Sequence, residues 1–252
     1  MHWVIHESVF SEANRKLLKD ALERAELPYT VVSFDSEEPT PNVEPEGKVF
    51  VCGAWKAQRL AKRRGWVPGS FLNENFSVEV WSEHLEGELL NETVYLTTVA
   101  NLDLQTPMFV RPAIDSKAFD GAVFTPEAAD TLRENNPALA EARVSVSPVR
   151  TIMREYRLFF VDGRLVTGSL YRQAGEVVLS GEVDPDAVAY GKAIAQQWSP
   201  AEAFVMDIAL TDDGYRVIEF NNINSSGFYA ADVERYVDAI ERAFDGSNRS
   251  DH

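Results

Sequence analysis

Between Phe204 and Asn222 two apolar runs of alternating character flank Asp212-Asp213-Gly214, a pattern that forces the chain to turn back on itself. The reading is a β-hairpin with a three-residue loop, Gly214 in the left-handed position and Thr211 facing Tyr215. That register sets Asp207 directly opposite Glu219, and Asn221, two residues on, points to the same side. Val205, Ala209 and Val217 are placed on that face as well. Directly opposed residues on one face have Cβ atoms roughly 5 Å apart, and like charges there repel. Two carboxylates and an amide oxygen gathered in this way call for a cation. An oxygen-only set favours Mg2+ or Mn2+ over zinc, and Mg2+ is commonly held by one or two carboxylates together with substrate phosphates. The competing reading is a solvent-facing hairpin whose acids only keep it soluble; the apolar neighbours on the same face argue against it.

A second hairpin is written into residues 152–172, where Asp162-Gly163 stands between alternating apolar residues and specifies a two-residue turn. Pairing Val161 with Arg164 predicts Arg157 opposite Gly168, Glu155 opposite Leu170 and Met153 opposite Arg172. Glu155, Arg157 and Arg172 then share a face, with open space above Arg157 left by Gly168. Two guanidiniums and a carboxylate suit a bidentate grip on phosphate or carboxylate oxygens; the alternative is a purely structural Arg-Glu-Arg cluster. A third element, 109–121, reads as a strand delivering Arg111 followed by a turn-forming loop that carries Lys117 and Gly121. Such a loop can close over a polyphosphate. The chain has neither G-x-x-x-x-G-K-[ST] nor G-x-G-x-x-G, so P-loop and Rossmann nucleotide sites are unsupported.

Composition narrows the field. At 252 residues with 45% hydrophobic side chains, the chain can bury a sizeable core as one large domain or two joined ones. Its formal charge of −16 disfavours non-specific binding to nucleic acid or anionic membrane. Cys52, the single cysteine, lies in an apolar run and reads as a buried structural thiol. No signal-type segment or membrane-length apolar run is seen, so a cytoplasmic location is expected. The first third alternates strands (2–6, 28–34, 48–53) with helices after Ser11 and Ala54, which predicts a small parallel sheet. The acidic, Pro-rich segment 35–47 reads as a loop, and the basic face of the helix 54–64 as solvated. Further strands are expected at 95–100, 108–113 and 143–147, and helices after Thr125 and Asp184 and near the C-terminus.

The order strand-borne cation, loop, Glu155-Tyr-Arg157 hairpin with Tyr171-Arg172, then Asp207…Glu219-Phe-Asn221 resembles the ATP-grasp superfamily, and within it the phage and bacterial clade named for two arginines and one lysine. The resemblance covers roughly 94–244. It departs from the superfamily where Arg111 replaces the usual lysine, where the loop has one glycine, and where Asn222-Ile-Asn224-Ser225-Ser226-Gly227 replaces a proline-containing tail. The fold it implies is α+β: two α+β subdomains holding ATP between them, 94–149 and 150–246, preceded by a small α/β domain, 1–93; the polar composition after Asp245 separately predicts a disordered tail, 247–252. It further implies adenine along 145–149 (Ser145, Val146, Ser147, Val149), with Arg111, Lys117 and Glu155 binding the nucleotide. Asp207, Glu219 and Asn221 would hold Mg2+, with Mn2+ as the other candidate. Arg157 and Arg172 would stabilise the transferring phosphoryl group or an acyl-phosphate. Asn222, Asn224, Ser225 and Ser226, next to the metal ligands, are placed at the acceptor site.

The implied activity is an ATP-dependent carboxylate–amine ligase. Its substrate would be a small molecule or peptide that supplies the carboxylate and the amine. The alternatives are a phosphotransferase acting on a hydroxyl, which needs the same cations and metal, and a nucleotide-binding module without chemistry. No Ser-His-Asp or Cys-His set competes with these readings.

Overall fold

Three sheets follow one another along the chain in the computed structural model, which describes residues 1–35, 37–92, 95–113, 119 and 121–244. Lys117, most of the loop 114–121 and the tail 247–252 lie outside the described residues. The first sheet is built from β1 (His2–His6), β2 (Tyr29–Val32), β3 (Val49–Cys52) and the two-residue β4 (Pro68–Gly69), in the order β2-β1-β3-β4 and all parallel. Its crossover helices are α1 (Glu12–Arg24) and α2 (Trp55–Arg64). Ser11 caps α1 by accepting from the Asn14 backbone N–H at 3.2 Å, and Gly65, at φ +63, ends α2 in the left-handed region that glycine enters without strain. The expected parallel α/β unit is therefore present. The basic face of α2 is exposed, as expected, and carries surface ion pairs as well. Glu37 and Glu38 of the acidic loop reach back to Arg59, Arg63 and Arg64.

The second sheet has the order β5-β8-β6-β7, formed by β5 (Tyr95–Thr98), β6 (Met108–Pro112), β7 (Ala122–Phe124) and β8 (Arg143–Ser147) and entirely antiparallel. It is covered on one side by α4 (Pro126–Asn135), which follows α3 (Val78–His84) in the chain. Val110, Val144 and Val146 point into the α4 core with Ala129. The third sheet carries the two hairpins: β9 (Ile152–Val161), β10 (Arg164–Gln173), β11 (Glu176–Ser180), β12 (Ala203–Thr211) and β13 (Gly214–Asn221), in the order β11-β10-β9-β12-β13. Strands β7 and β11 and helix α3 were not anticipated. Each is short and lacks a clear period.

Alternation along β9 and β12 assigns the two faces of this sheet. Tyr156, Leu158, Phe160, Phe204, Met206 and Ile208 point backward, where α3 and α5 (Pro185–Gln197) cover them. Phe159, Val161, Ala203 and Val205 point forward into a core shared with Trp3, Phe50 and α6 (Val233–Phe244). Cys52 belongs to this core, and full burial raises its thiol above the usual range. Where that apolar core stops, the same forward face continues as Arg157, Glu155 and Asp207. Among the described residues, no helix is long and apolar enough to cross a membrane.

Candidate active site

The β12–β13 hairpin brings Asp207 opposite Glu219, as expected, but by a different path. The loop has two residues, not three: Thr211 pairs with Gly214 and Leu210 with Tyr215. Uncorrected, that register would place Ile218 across from Asp207. A register shift between Ile208 and Asp207 leaves Ile218 as an extra residue and restores the facing acids. Val217, opposite Ile208, therefore packs on the back of the sheet and not beside the acids.

Irregularities also reshape the other hairpin. The turn pairs Val161 with Arg164 as predicted, but register shifts at Val166 and Tyr171 place Ser169 opposite Arg157 and Arg172 opposite Glu155. Gly168 faces Leu158 and leaves no open space above Arg157. A Cβ there would lie 2.9 Å from Leu158 Cδ2 and 3.0 Å from the Arg157 carbonyl oxygen. Glycine is required at this point by close packing of β10 on β9.

Arg157, Asp207 and Glu219 form a row across three adjacent strands. The Arg157 fork donates to both oxygens of Asp207, from Nε at 2.8 Å and Nη2 at 2.7 Å, and Nη1 donates to the Gly227 carbonyl at 3.2 Å. Burial would by itself lower the guanidinium, but the hydrogen bond to Asp207 and its charge outweigh this and hold it raised. Burial pushes the Asp207 carboxyl up to about 6 although Arg157 pulls the other way. Two aromatic rings complete the enclosure. Tyr229 lies 4.8 Å from the guanidinium and stacks on Tyr171 at 4.8 Å and 14°, an arrangement that favours the cation. The Tyr171 hydroxyl donates to Glu155 Oε2 at 2.9 Å, and Glu155 also faces Arg172 at 3.6 Å. Tyr229 adopts φ +52, and its neighbours are pinned: Ala230 N–H donates to Ser169 Oγ at 3.1 Å and Phe228 N–H to Asn14 Oδ1 at 2.7 Å. Sequence reading missed Tyr229 because it lies in an irregular loop with no period; a bulky residue forced to positive φ is visible only in three dimensions.

The small sheet presents the opposing wall. Register puts Arg111 beside Ser145 and Phe109 beside Ser147, on the face away from α4. Burial lowers the Arg111 guanidinium, and the charge of Glu219 acts in the opposite direction. Ser147 Oγ is fully buried and has no hydrogen-bond partner among the described residues. Val146 is corrected as a nucleotide contact through its side chain, which is buried in the α4 core; Val149 is exposed. Arg172 stands further out, 46% exposed. The tail after β13 also needs correction. Asn224 is fully buried, its amide donating to the carbonyls of Val51 and Gly69 at 2.7 and 3.2 Å and accepting from Phe71 N–H at 2.9 Å. With its amide engaged there, it fastens this segment to the first sheet and is not free to meet a substrate. Asn222 and Ser226 are buried, and the Asn222 carbonyl accepts from both Ser225 N–H and Ser226 Oγ. Of these four acceptor-site candidates, Ser225 alone is partly exposed.

The donor set fits a nucleotide-borne divalent cation better than a free one. Among the described residues, no three His, Cys, Asp or Glu side chains come together as a metal cluster. Asn221 Nδ2 donates to Glu219 Oε1 at 2.8 Å and sits 3.4 Å from Asp207 Oδ2. Turning that amide over would present its oxygen at the same point, giving two carboxylates and an amide that could hold Mg2+ together with phosphate oxygens.

The sequence model of one protein family matches residues 27–240; it describes an ATP-grasp domain, the third family of the clade named for two arginines and one lysine. Among solved structures, the chain is similar to D-alanine–D-alanine ligase from Bacillus anthracis complexed with ATP, at 12% identity and TM-score 0.64 over 96% of each chain. It is similar to the RimK domain protein ATP-grasp from Sphaerobacter thermophilus DSM 20745, at 14% identity and TM-score 0.61 over 90% of this chain and 92% of that one. It is also similar to ATP-grasp ligase PsnB complexed with precursor peptide PsnA2 and AMPPNP, at 13% identity and TM-score 0.56 over 91% and 90%. At such identities the likeness is one of fold. No match is found among curated protein sequences.

Proposed function

This chain belongs to the ATP-grasp domain family, in the clade named for two arginines and one lysine, and on that footing we propose that it is an ATP-dependent carboxylate–amine ligase. The observation that carries the reading is the row Arg157–Asp207–Glu219 facing Arg111 of the small sheet. Cations on both walls and acids between them suit a triphosphate held with its metal. The solved relatives that are ligases include one bound to ATP and one bound to a precursor peptide with AMPPNP, which supports nucleotide between 94–149 and 150–246 and an acid or peptide as acceptor.

Asp207, Glu219 and Asn221 would hold Mg2+, which when bound neutralises phosphate charge. Arg111 would hold phosphate oxygens from the opposite wall. A substrate carboxylate attacks the γ-phosphorus, its bond to ADP breaks, and an acyl-phosphate forms. An amine then attacks the carbonyl carbon, phosphate leaves, and the nitrogen gives up its proton to yield an amide. Arg157 and Arg172 would offset the charge developing on the phosphoryl and acyl oxygens. Arg157 is presented by the Tyr171–Tyr229 stack, so its fork is pre-oriented. The test is a panel of amino acids and peptides assayed for ADP and phosphate release, with mass spectrometry of the product. An amide supports ligation, whereas a phosphate ester would favour the hydroxyl phosphotransferase.

A further inference from the structure

The outer edge of the large sheet is β11, with the sequence Glu176-Val-Val-Leu-Ser180. Natural edge strands are protected by lysine, proline or a bulge turned away from partners. The register of β11 on β10 does shift between Leu170 and Arg172, but no lysine or proline stands in the strand; three consecutive aliphatic residues, Val177, Val178 and Leu179, are 71%, 38% and 54% exposed, and among the described residues β11 pairs with β10 alone. The register fixes where they point. Val177 lies opposite Arg172, and Arg172 lies opposite Glu155. Val177 and, two residues on, Leu179 therefore stand on the cleft face of the sheet. They form an apolar shelf that continues directly into Arg172, Glu155 and Arg157.

We propose that β11 is the docking edge for an extended peptide substrate, added to the sheet as a further strand, whose terminal carboxylate crosses the shelf past Arg172 to the site at Arg157. The proposal rests on the ligase reading and names its acceptor. Charge selects this occupant over a second copy. The molecule carries −16, and Glu176 and Glu182 bracket the strand, so a copy of this chain would be repelled while a peptide with basic residues beside its aliphatic ones would be attracted. The exposed guanidinium of Arg172 meets the carboxylate end. Distance sets the length. Three strand spacings, about 14 Å, separate an added strand from β9, and an extended chain spans that in about four or five residues. The edge-binding aliphatic pair must precede the carboxylate by at least that many positions.

The test uses fluorescein-labelled peptides with a free C-terminus, titrated by anisotropy against the full chain with AMPPNP and Mg2+. The longer peptide has about ten residues, with alternating valines and lysines in its first half; the shorter one is its last four residues alone. The longer peptide is expected to bind about tenfold more tightly. Backbone N-methylation at alternate positions, or Val177→Lys or Leu179→Lys in the protein, should each remove that gain while leaving AMPPNP affinity unchanged. The inference is overturned if length brings no gain, if the gain survives both substitutions, or if sedimentation shows a dimer that Leu179→Lys dissociates. Binding of AMPPNP without any length gain sinks this inference alone; failure to bind AMPPNP sinks the ligase reading and this inference with it.

Discussion

A single guanidinium holds both oxygens of Asp207, with 11% of the Arg157 side chain and 3% of the Asp207 side chain exposed. On the proposed reading, Asp207 would have to give up part of this pairing to hold a cation, while Arg157 would still have the ring faces of Tyr171 and Tyr229 and the Gly227 carbonyl. Glu219, only partly buried, would be the more accessible of the two carboxylates. We expect Glu219→Gln to lower Mg2+-dependent ADP release by at least ~100-fold while circular dichroism stays native. Metal-dependent turnover by that variant at the wild-type rate would remove Glu219 from the site. Arg157→Lys keeps the charge but cannot offer two parallel donors. It should reduce kcat more than it raises the KM for ATP, read from steady-state kinetics; unchanged kcat would make the pair structural. The facing of Asp207 and Glu219 was read from the sequence, although the turn that sets it was not. Tyr229 was not legible there, since nothing local announces a ring folded back from a loop.

The hairpins show why strand existence is easier to read than strand register. Asp162-Gly163 and Asp212-Asp213-Gly214 announce turns, but the extra residues at Val166, Tyr171 and Ile218 are ordinary strand formers, and nothing in their identity marks them. In β13 a misassigned loop length and an unforeseen extra residue cancelled, so the facing acids were read correctly for an incomplete reason. In β10 nothing cancelled, and the space assigned above Arg157 turned out to be a contact between strands. Gly168→Ala follows from that contact: it should cost about 1–3 kcal/mol in urea unfolding, because the new methyl meets the Arg157 carbonyl as well as the Leu158 and Val183 side chains. A neutral result would restore the open-space reading. Helix starts were the most legible elements, because Ser11, Thr125 and Asp184 each cap the helix they precede.

The first sheet is joined to the rest of the molecule by more than chain connectivity. Trp3 and Phe50 share a core with Phe159, Phe228 and Tyr236; Trp3 Nε1 donates to Glu241 at 2.5 Å; and Asn224 ties the segment after β13 to β3 and β4. This joining was invisible in sequence, where Asn224 looked like a candidate substrate contact. Asn224→Ala strands two buried carbonyls and one N–H, so it should cost about 2–4 kcal/mol, measured by denaturation, with AMPPNP affinity unchanged. A shift in substrate KM at unaltered stability would return Asn224 to the acceptor site. The most direct measurement supplies ATP, Mg2+, an amine and a carboxylate labelled with heavy oxygen. The account predicts a product equal in mass to both substrates less one water, with one labelled oxygen transferred to the released phosphate. Release of ADP with the label retained entirely in the acid, or a phosphorylated product in place of an amide, would contradict it.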